Sequence, residues 1–232
     1  MSRDPRRTAA EHDHPRWTGP VRTYVIASLP RTGSTMLARS LEAAEAGVPA
    51  EYLNPLVRRE LADRWGRLAL PDYLERVRAT RTVSGHFGLK VHFNHFEPMR
   101  TNQTTLDWIG DATWISLTRL DQISQAVSLD LARRTGRWWA GPRRRLAVYD
   151  AAAVTNRFDE IRSQEVGWER FYLDHQIEPL RITTENLFER PHETIGAVLQ
   201  ALGMDGDPEV VTRPSNDPRT ERWARRYRRQ HV

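Results

Sequence analysis

The sequence predicts an α/β fold, a single domain with a central parallel sheet flanked by helices, on two observations. Short apolar runs of strand type, at residues 23–28, 87–93, 113–118 and 180–183, alternate with longer segments whose apolar residues recur at three- and four-residue spacing. Alternation of this kind lays the strands side by side in parallel, with the connecting helices covering both faces. The second observation is the exit from the first strand, where SLPRTGST, residues 28–35, turns through Pro and Gly into a helix. In such a sheet, ligands sit beyond the carboxyl ends of the strands.

The helical segments follow in order at 34–45, 71–80, 121–134, 158–175 and 191–202. Residues 21–232 form one domain, since a chain of 232 residues supports one sizeable core. Residues 1–20 are polar and contain proline, and are expected to be a mobile arm with no apolar region of secretory type. A mean hydropathy of −0.66 and the lack of an apolar run near the membrane-spanning length exclude a membrane span. The chain has no cysteine, so neither a disulfide nor a thiolate metal site is available, and a cytoplasmic location is expected. The segment 135–155 mixes Gly, Pro, paired Trp and three consecutive arginines, Arg143, Arg144 and Arg145, as an insertion over the site or at an interface would.

A formal charge of +5 and a pI near 10.0 call for an anionic partner, a property shared by nucleic-acid binders and by enzymes of phosphorylated substrates. Lys90 is the only lysine among the 35 basic residues. The anion site itself is the turn after the first strand. Unpaired N–H groups and the positive end of the dipole at the helix start favour an anion, with Arg31, Thr32, Gly33, Ser34 and Thr35 around it. A hydroxyl capping the helix would account for Ser34 or Thr35 alone. A nucleotide-hydrolysing loop would carry lysine where Ser34 stands, and an acid at a neighbouring strand end to help hold Mg²⁺. Here the strand TWISLT is followed by Arg119, which argues for a second anion instead.

With those residues in view, the chain resembles PAPS-dependent sulfotransferases, and most closely the bacterial family typified by trehalose 2-sulfotransferase. Three blocks carry the resemblance. SLPRTGSTML is similar to the family's 5′-phosphosulfate loop, with Arg31 as its basic residue and Ser34 and Thr35 as its hydroxyl residues. TRLDQISQAVS is similar to the 3′-phosphate block, which gives Arg119 and Ser128 that role. GVPAEYLNP presents Glu51 in place of the family's early acid, the implied general base. Similarity continues through EVGWERF, where Trp168 matches an aromatic near the nucleotide, and into the C-terminal basic segment, where Arg219 or Arg226 would close on the 3′-phosphate. The resemblance implies a P-loop-like sulfotransferase fold, PAPS as co-substrate with PAP as product, no metal, and a homodimer.

Sulfuryl transfer needs positioning and charge stabilisation more than covalent chemistry. Lys90 offers a compact positive charge for the transferring sulfuryl oxygens. Two residues can serve as general base. Glu51, partly buried after its turn, would need a raised pKa, whereas His92, two residues beyond Lys90, shares the strand face of that lysine. The acceptor is a hydroxyl of a sugar, a glycolipid precursor or another small molecule such as a secondary metabolite. Rival functions are a nucleic-acid or polyphosphate binding protein and a degenerate P-loop kinase. The first lacks a recognised nucleic-acid motif, and the second lacks both the lysine and the acid.

Overall fold

The computed structural model describes residues 6–138, 146–206, 208–211 and 217–231, and its first strand, β1 (Arg22–Ser28), lies inside the sheet. Helices α1 (Ser34–Ala43), α2 (Pro55–Trp65) and α3 (Leu70–Arg81) lead to β2 (His86–His92). One-turn α4 (Phe93–Phe96) and α5 (Gln103–Ile109) cross to β3 (Thr113–Thr118), and α6 (Gln122–Thr135) and α7 (Ala151–Asp174) to β4 (Leu180–Thr183). Then come α8 (Thr184–Glu189), α9 (Pro191–Ala201) and α10 (Pro218–His231). The four strands are parallel in the order β2-β1-β3-β4, which bears out the α/β expectation.

Central placement explains why β1 is apolar from Tyr24 to Ala27. Tyr24 and Ile26 face a layer built on Leu37, Leu41, Ile195 and Val198 of α1 and α9, while Val25 and Ala27 face Leu61, Val77, Val127 and Phe171 on the other side. From β1 the chain moves outward to β2, and from β3 it moves outward the other way to β4. The loops leaving β1 and β3 therefore part from each other and open a crevice at the carboxyl edge of two adjacent strands.

Several elements differ from expectation. Helix α2 buries only Val57 and Leu61, too sparse a stripe to read, and starts at the Asn54-Pro55 junction. Helix α7 begins inside the segment expected to be irregular, because Asp150 caps it by accepting from Ala153 N at 3.1 Å. Residues 139–145, with the three consecutive arginines, lie outside the described residues. The N-terminal segment was expected to be a free arm, yet from Arg6 onward it is tied to the domain. Arg7 pairs with Glu42 at 2.6 Å, and Asp13 with Arg81 at 2.7 Å. The backbone of His14 and Trp17 donates to Thr80 and Ala79 at the end of α3. These partners lie tens of residues away, beyond any local reading of the arm. Among the described residues no helix is long and apolar enough to cross a membrane.

Candidate active site

Five successive carbonyls of the turn after β1 accept a hydrogen bond from a side chain. Ser28 O accepts from Trp168 Nε1 at 3.2 Å, Leu29 O from Thr32 Oγ1 at 2.9 Å, and Pro30 O from Gln125 Nε2 at 2.9 Å. Arg31 O accepts from Arg119 Nη1 at 3.3 Å, and Thr32 O from Thr184 Oγ1 at 2.8 Å. In a planar trans peptide the N–H points opposite to the carbonyl, so anchoring the carbonyls outward turns the N–H groups of the turn inward. Arg31 (φ 71°) and Gly33 (φ 82°) adopt left-handed backbone to make this concavity. A Cβ at Gly33 would come within 2.8 Å of the Phe188 ring. Gly33 is the N-cap of α1 and no side chain caps the helix, so Ser34 and Thr35 are not there as caps.

At one end of this turn the crevice is lined by cations. Arg31 Nε donates to Ser128 Oγ at 2.9 Å and its Nη1 to Trp138 O at 2.8 Å, beside Arg119. Arg31, expected at the leaving phosphate, thus directs its guanidinium to α6, next to the two residues assigned to the 3′-phosphate. Burial, then Arg119 and Arg137, push the Arg31 guanidinium below its usual range, against the opposing pull of Asp217. Burial also lowers Arg119, against Asp121 and Glu185. Neither Arg31 nor Arg119 carries an ion pair among the described residues. Desolvated cations without a salt-bridge partner favour an anionic ligand.

At the other end stands a compact polar cluster. Lys90 Nζ is 3.3 Å from Thr35 Oγ1 and 3.0 Å from Glu51 Oε1. His92, on the same strand face, places Nε2 at 3.4 Å from Glu51 Oε1 and Nδ1 at 3.1 Å from Ser28 Oγ. Asn54 Nδ2 donates to Glu51 Oε2 at 2.8 Å. His95 aims a buried Nδ1 at the same carboxylate from 3.9 Å, without a hydrogen bond. Burial, with His92 and Lys90 beside it, lowers the His95 imidazole pKa despite the attraction of Glu51. The expectation of a raised Glu51 pKa is corrected: burial raises it, but Lys90 and then His92 outweigh burial and hold the carboxyl well below the usual range.

Three other expected site residues lie elsewhere. Trp168 is only 4% exposed, with Phe96 stacked at 5.0 Å and Tyr172 at 5.8 Å, so it supports Ser28 from the core and has no face for a nucleotide. Arg219 is paired with Asp217 at 2.8 Å, which also lies 3.9 Å from Arg137, so its charge is already balanced at the edge of the arginine group. Arg226 is exposed and stacks on Tyr149 at 4.2 Å, a contact made where α10 meets the start of α7. The tail's Trp223 and Tyr227, four residues apart on one face of α10, are buried. A cavity of about 770 Å³ opens at the opposite edge of the sheet, lined by Thr113, Trp114, Phe171, His175 and Leu180, and includes none of the residues above.

Comparison with known proteins agrees with this geometry. The Stf0 sulphotransferase family profile matches residues 23–230. A trehalose 2-sulfotransferase of Mycolicibacterium smegmatis is 30% identical over 94% of this chain and 96% of its own. One of Mycobacterium tuberculosis is 29% identical over 90% and 95%. Among solved structures, a sulfotransferase from Alicyclobacillus acidocaldarius has a TM-score of 0.52 at 13% identity, covering 91% of this chain and 93% of that one. The sulfotransferase domain from the curacin biosynthetic pathway has a TM-score of 0.50 at 14% identity, covering 87% and 80%. Both share the fold. Joined to the anion-binding turn and the match along nearly the whole chain, these likenesses place the protein in the Stf0 sulphotransferase family, as a sulfotransferase enzyme.

Proposed function

We propose that the enzyme transfers a sulfuryl group from PAPS to a hydroxyl of a carbohydrate or other small acceptor. The observation that carries this reading is the placement of two separate positive centres at the two ends of one anion-binding turn. Lys90 and Thr35 mark one, and Arg31, Arg119 and Ser128 the other. A donor with a 5′-phosphosulfate and a 3′-phosphate matches both. The names of the two curated relatives support a carbohydrate acceptor.

Each residue then has a physical task. The inward N–H groups, Thr35 and the start of α1 stabilise charge growing on the departing phosphate. Lys90 stabilises the sulfuryl oxygens in flight. Glu51 takes the proton of the acceptor hydroxyl as the new O–S bond forms and the S–O bond to phosphate breaks. Both ring nitrogens of His92 already face Ser28 and Glu51, which makes it a support for the carboxylate rather than the base. A carboxylate held low by Lys90 is a weak base, and a sulfonate that draws the ammonium toward Thr35 strengthens it. Deprotonation of the acceptor is thereby tied to arrival of the donor.

The test is calorimetric titration with PAP, beside Mg-ATP and a short oligonucleotide. PAP should bind in preference to both, and Arg119→Ala should weaken it roughly 10- to 100-fold, the loss of one charged hydrogen-bonding partner. Binding of Mg-ATP or oligonucleotide without PAP rejects the reading. The same reading carries a cytoplasmic location and a homodimer, for which sedimentation equilibrium of the full chain is the check.

A further inference from the structure

We propose that Asn54 is a positioning residue for Glu51, locked by the start of α2 so that its amide presents only donors to the carboxylate. The inference rests on the reading of Glu51 as base. Its basis is local. Residues before proline are driven into extended backbone, and Asn54 sits at φ −69°, ψ 125° ahead of Pro55. A turn closes behind it, Asn54 N donating to Glu51 O at 2.8 Å, and brings the two side chains together. Asn54 Oδ1 accepts from Leu56 N at 3.0 Å as the N-cap of α2, which leaves Nδ2 to donate to Glu51 Oε2 at 2.8 Å. Reversing the amide would set N–H against N–H at the cap and oxygen against carboxylate at Glu51, so the neighbours determine its orientation.

The consequence concerns which oxygen takes the proton. Lys90 and His92, both on β2, occupy Oε1, whereas among the described residues Oε2 accepts only from Asn54. A carboxylate oxygen offers about two lone pairs. The open one is therefore on Oε2, where His95 of α4 approaches to 3.9 Å without bonding. Asn54 fixes the plane of the carboxyl group and directs that lone pair to the acceptor. A single Asn-Pro step thus starts a helix and aims the base.

Carboxyl ¹³C NMR of the full chain tests this, with the Glu51 resonance assigned by its loss in Glu51→Gln. Asn54→Asp keeps the cap acceptor, removes the donor and adds a like charge, so the Glu51 titration should move up by about one pH unit or more. Asn54→Gly keeps a tolerated N-cap residue, removes the donor without adding charge, and should give a smaller rise in the same direction; it also serves if the Asp variant does not fold. A merely structural Asn54 would change melting temperature and leave the Glu51 midpoint where it was in both variants, which overturns the proposal. Failure of the base reading shows separately, as undiminished sulfuryl transfer by Glu51→Gln, and leaves the NMR shift interpretable.

Discussion

Glu51 is a carboxylate whose burial and partners pull in opposite directions. Removing it from water favours the neutral acid, yet a full positive charge at 3.0 Å and donors on both oxygens favour the anion, and the anion wins. The folded pKa is thus depressed below the unfolded value of about 4.3. Where the two differ, the unfolded chain binds more protons, so this group's contribution to stability is complete above the unfolded pKa and is lost as pH falls through the folded one. Urea unfolding of the parent and of Glu51→Gln between about pH 3 and 6 should show a stability gap that is widest at the upper end and closes on acidification. A gap independent of pH would mean that charge is not the source.

The turn after β1 owes its shape to four other elements. Arg119 from the end of β3, Gln125 of α6, Trp168 of α7 and Thr184 of α8 each hold one of its carbonyls. Gln125 is wholly buried, and its removal leaves Pro30 O without its donor. We expect Gln125→Leu to weaken PAP binding roughly tenfold, the cost of one lost buried hydrogen bond, with helix content by circular dichroism unchanged. Equal PAP affinity in the variant would show that the turn holds its shape without this anchor. The turn itself was legible in SLPRTGST because Gly, Pro and a following apolar helix are local signals. So were the four strands. Gln125 and Trp168 were not legible in these roles, since their partners lie 95 and 140 positions away and only the closed fold supplies them. Trp168 was misplaced for a related reason: a large aromatic on a helix fits a core and a nucleotide face equally well until its neighbours are known. The basicity of Glu51 was misjudged because its partner Lys90 comes from β2, some forty positions along the chain.

The two halves of the site hang on different parts of the molecule, and the N-terminal segment belongs to one of them. Arg81 at the end of α3 is fully buried; its guanidinium lies 5.6 Å over Trp65, and its contact with Asp13, at 2.7 Å, is charge to charge rather than an aligned hydrogen bond. Arg64 binds the same aspartate. Arg81 O also accepts from Val48 N at 3.0 Å, and two residues on, Ala50 O accepts from Lys90 N at 3.0 Å, so the segment that delivers Glu51 is pinned between Arg81 and β2. The segment is thus a strap over the acceptor half, while the donor turn is held from α6, α7 and α8. Asp13→Ala would leave a buried guanidinium without its counter-charge, at a cost of about 3 kcal/mol, the low end for breaking a buried pair. For a chain of this length that corresponds to a melting temperature lower by roughly 6–12 °C. Because the described anchors of the donor turn come from Arg119, Gln125, Trp168 and Thr184, PAP affinity measured well below the melting transition should equal that of the parent. An unchanged melting temperature would mean that the arm is not anchored in solution, whereas lost PAP affinity would mean that the strap reaches the donor turn through the Lys90–Thr35 contact.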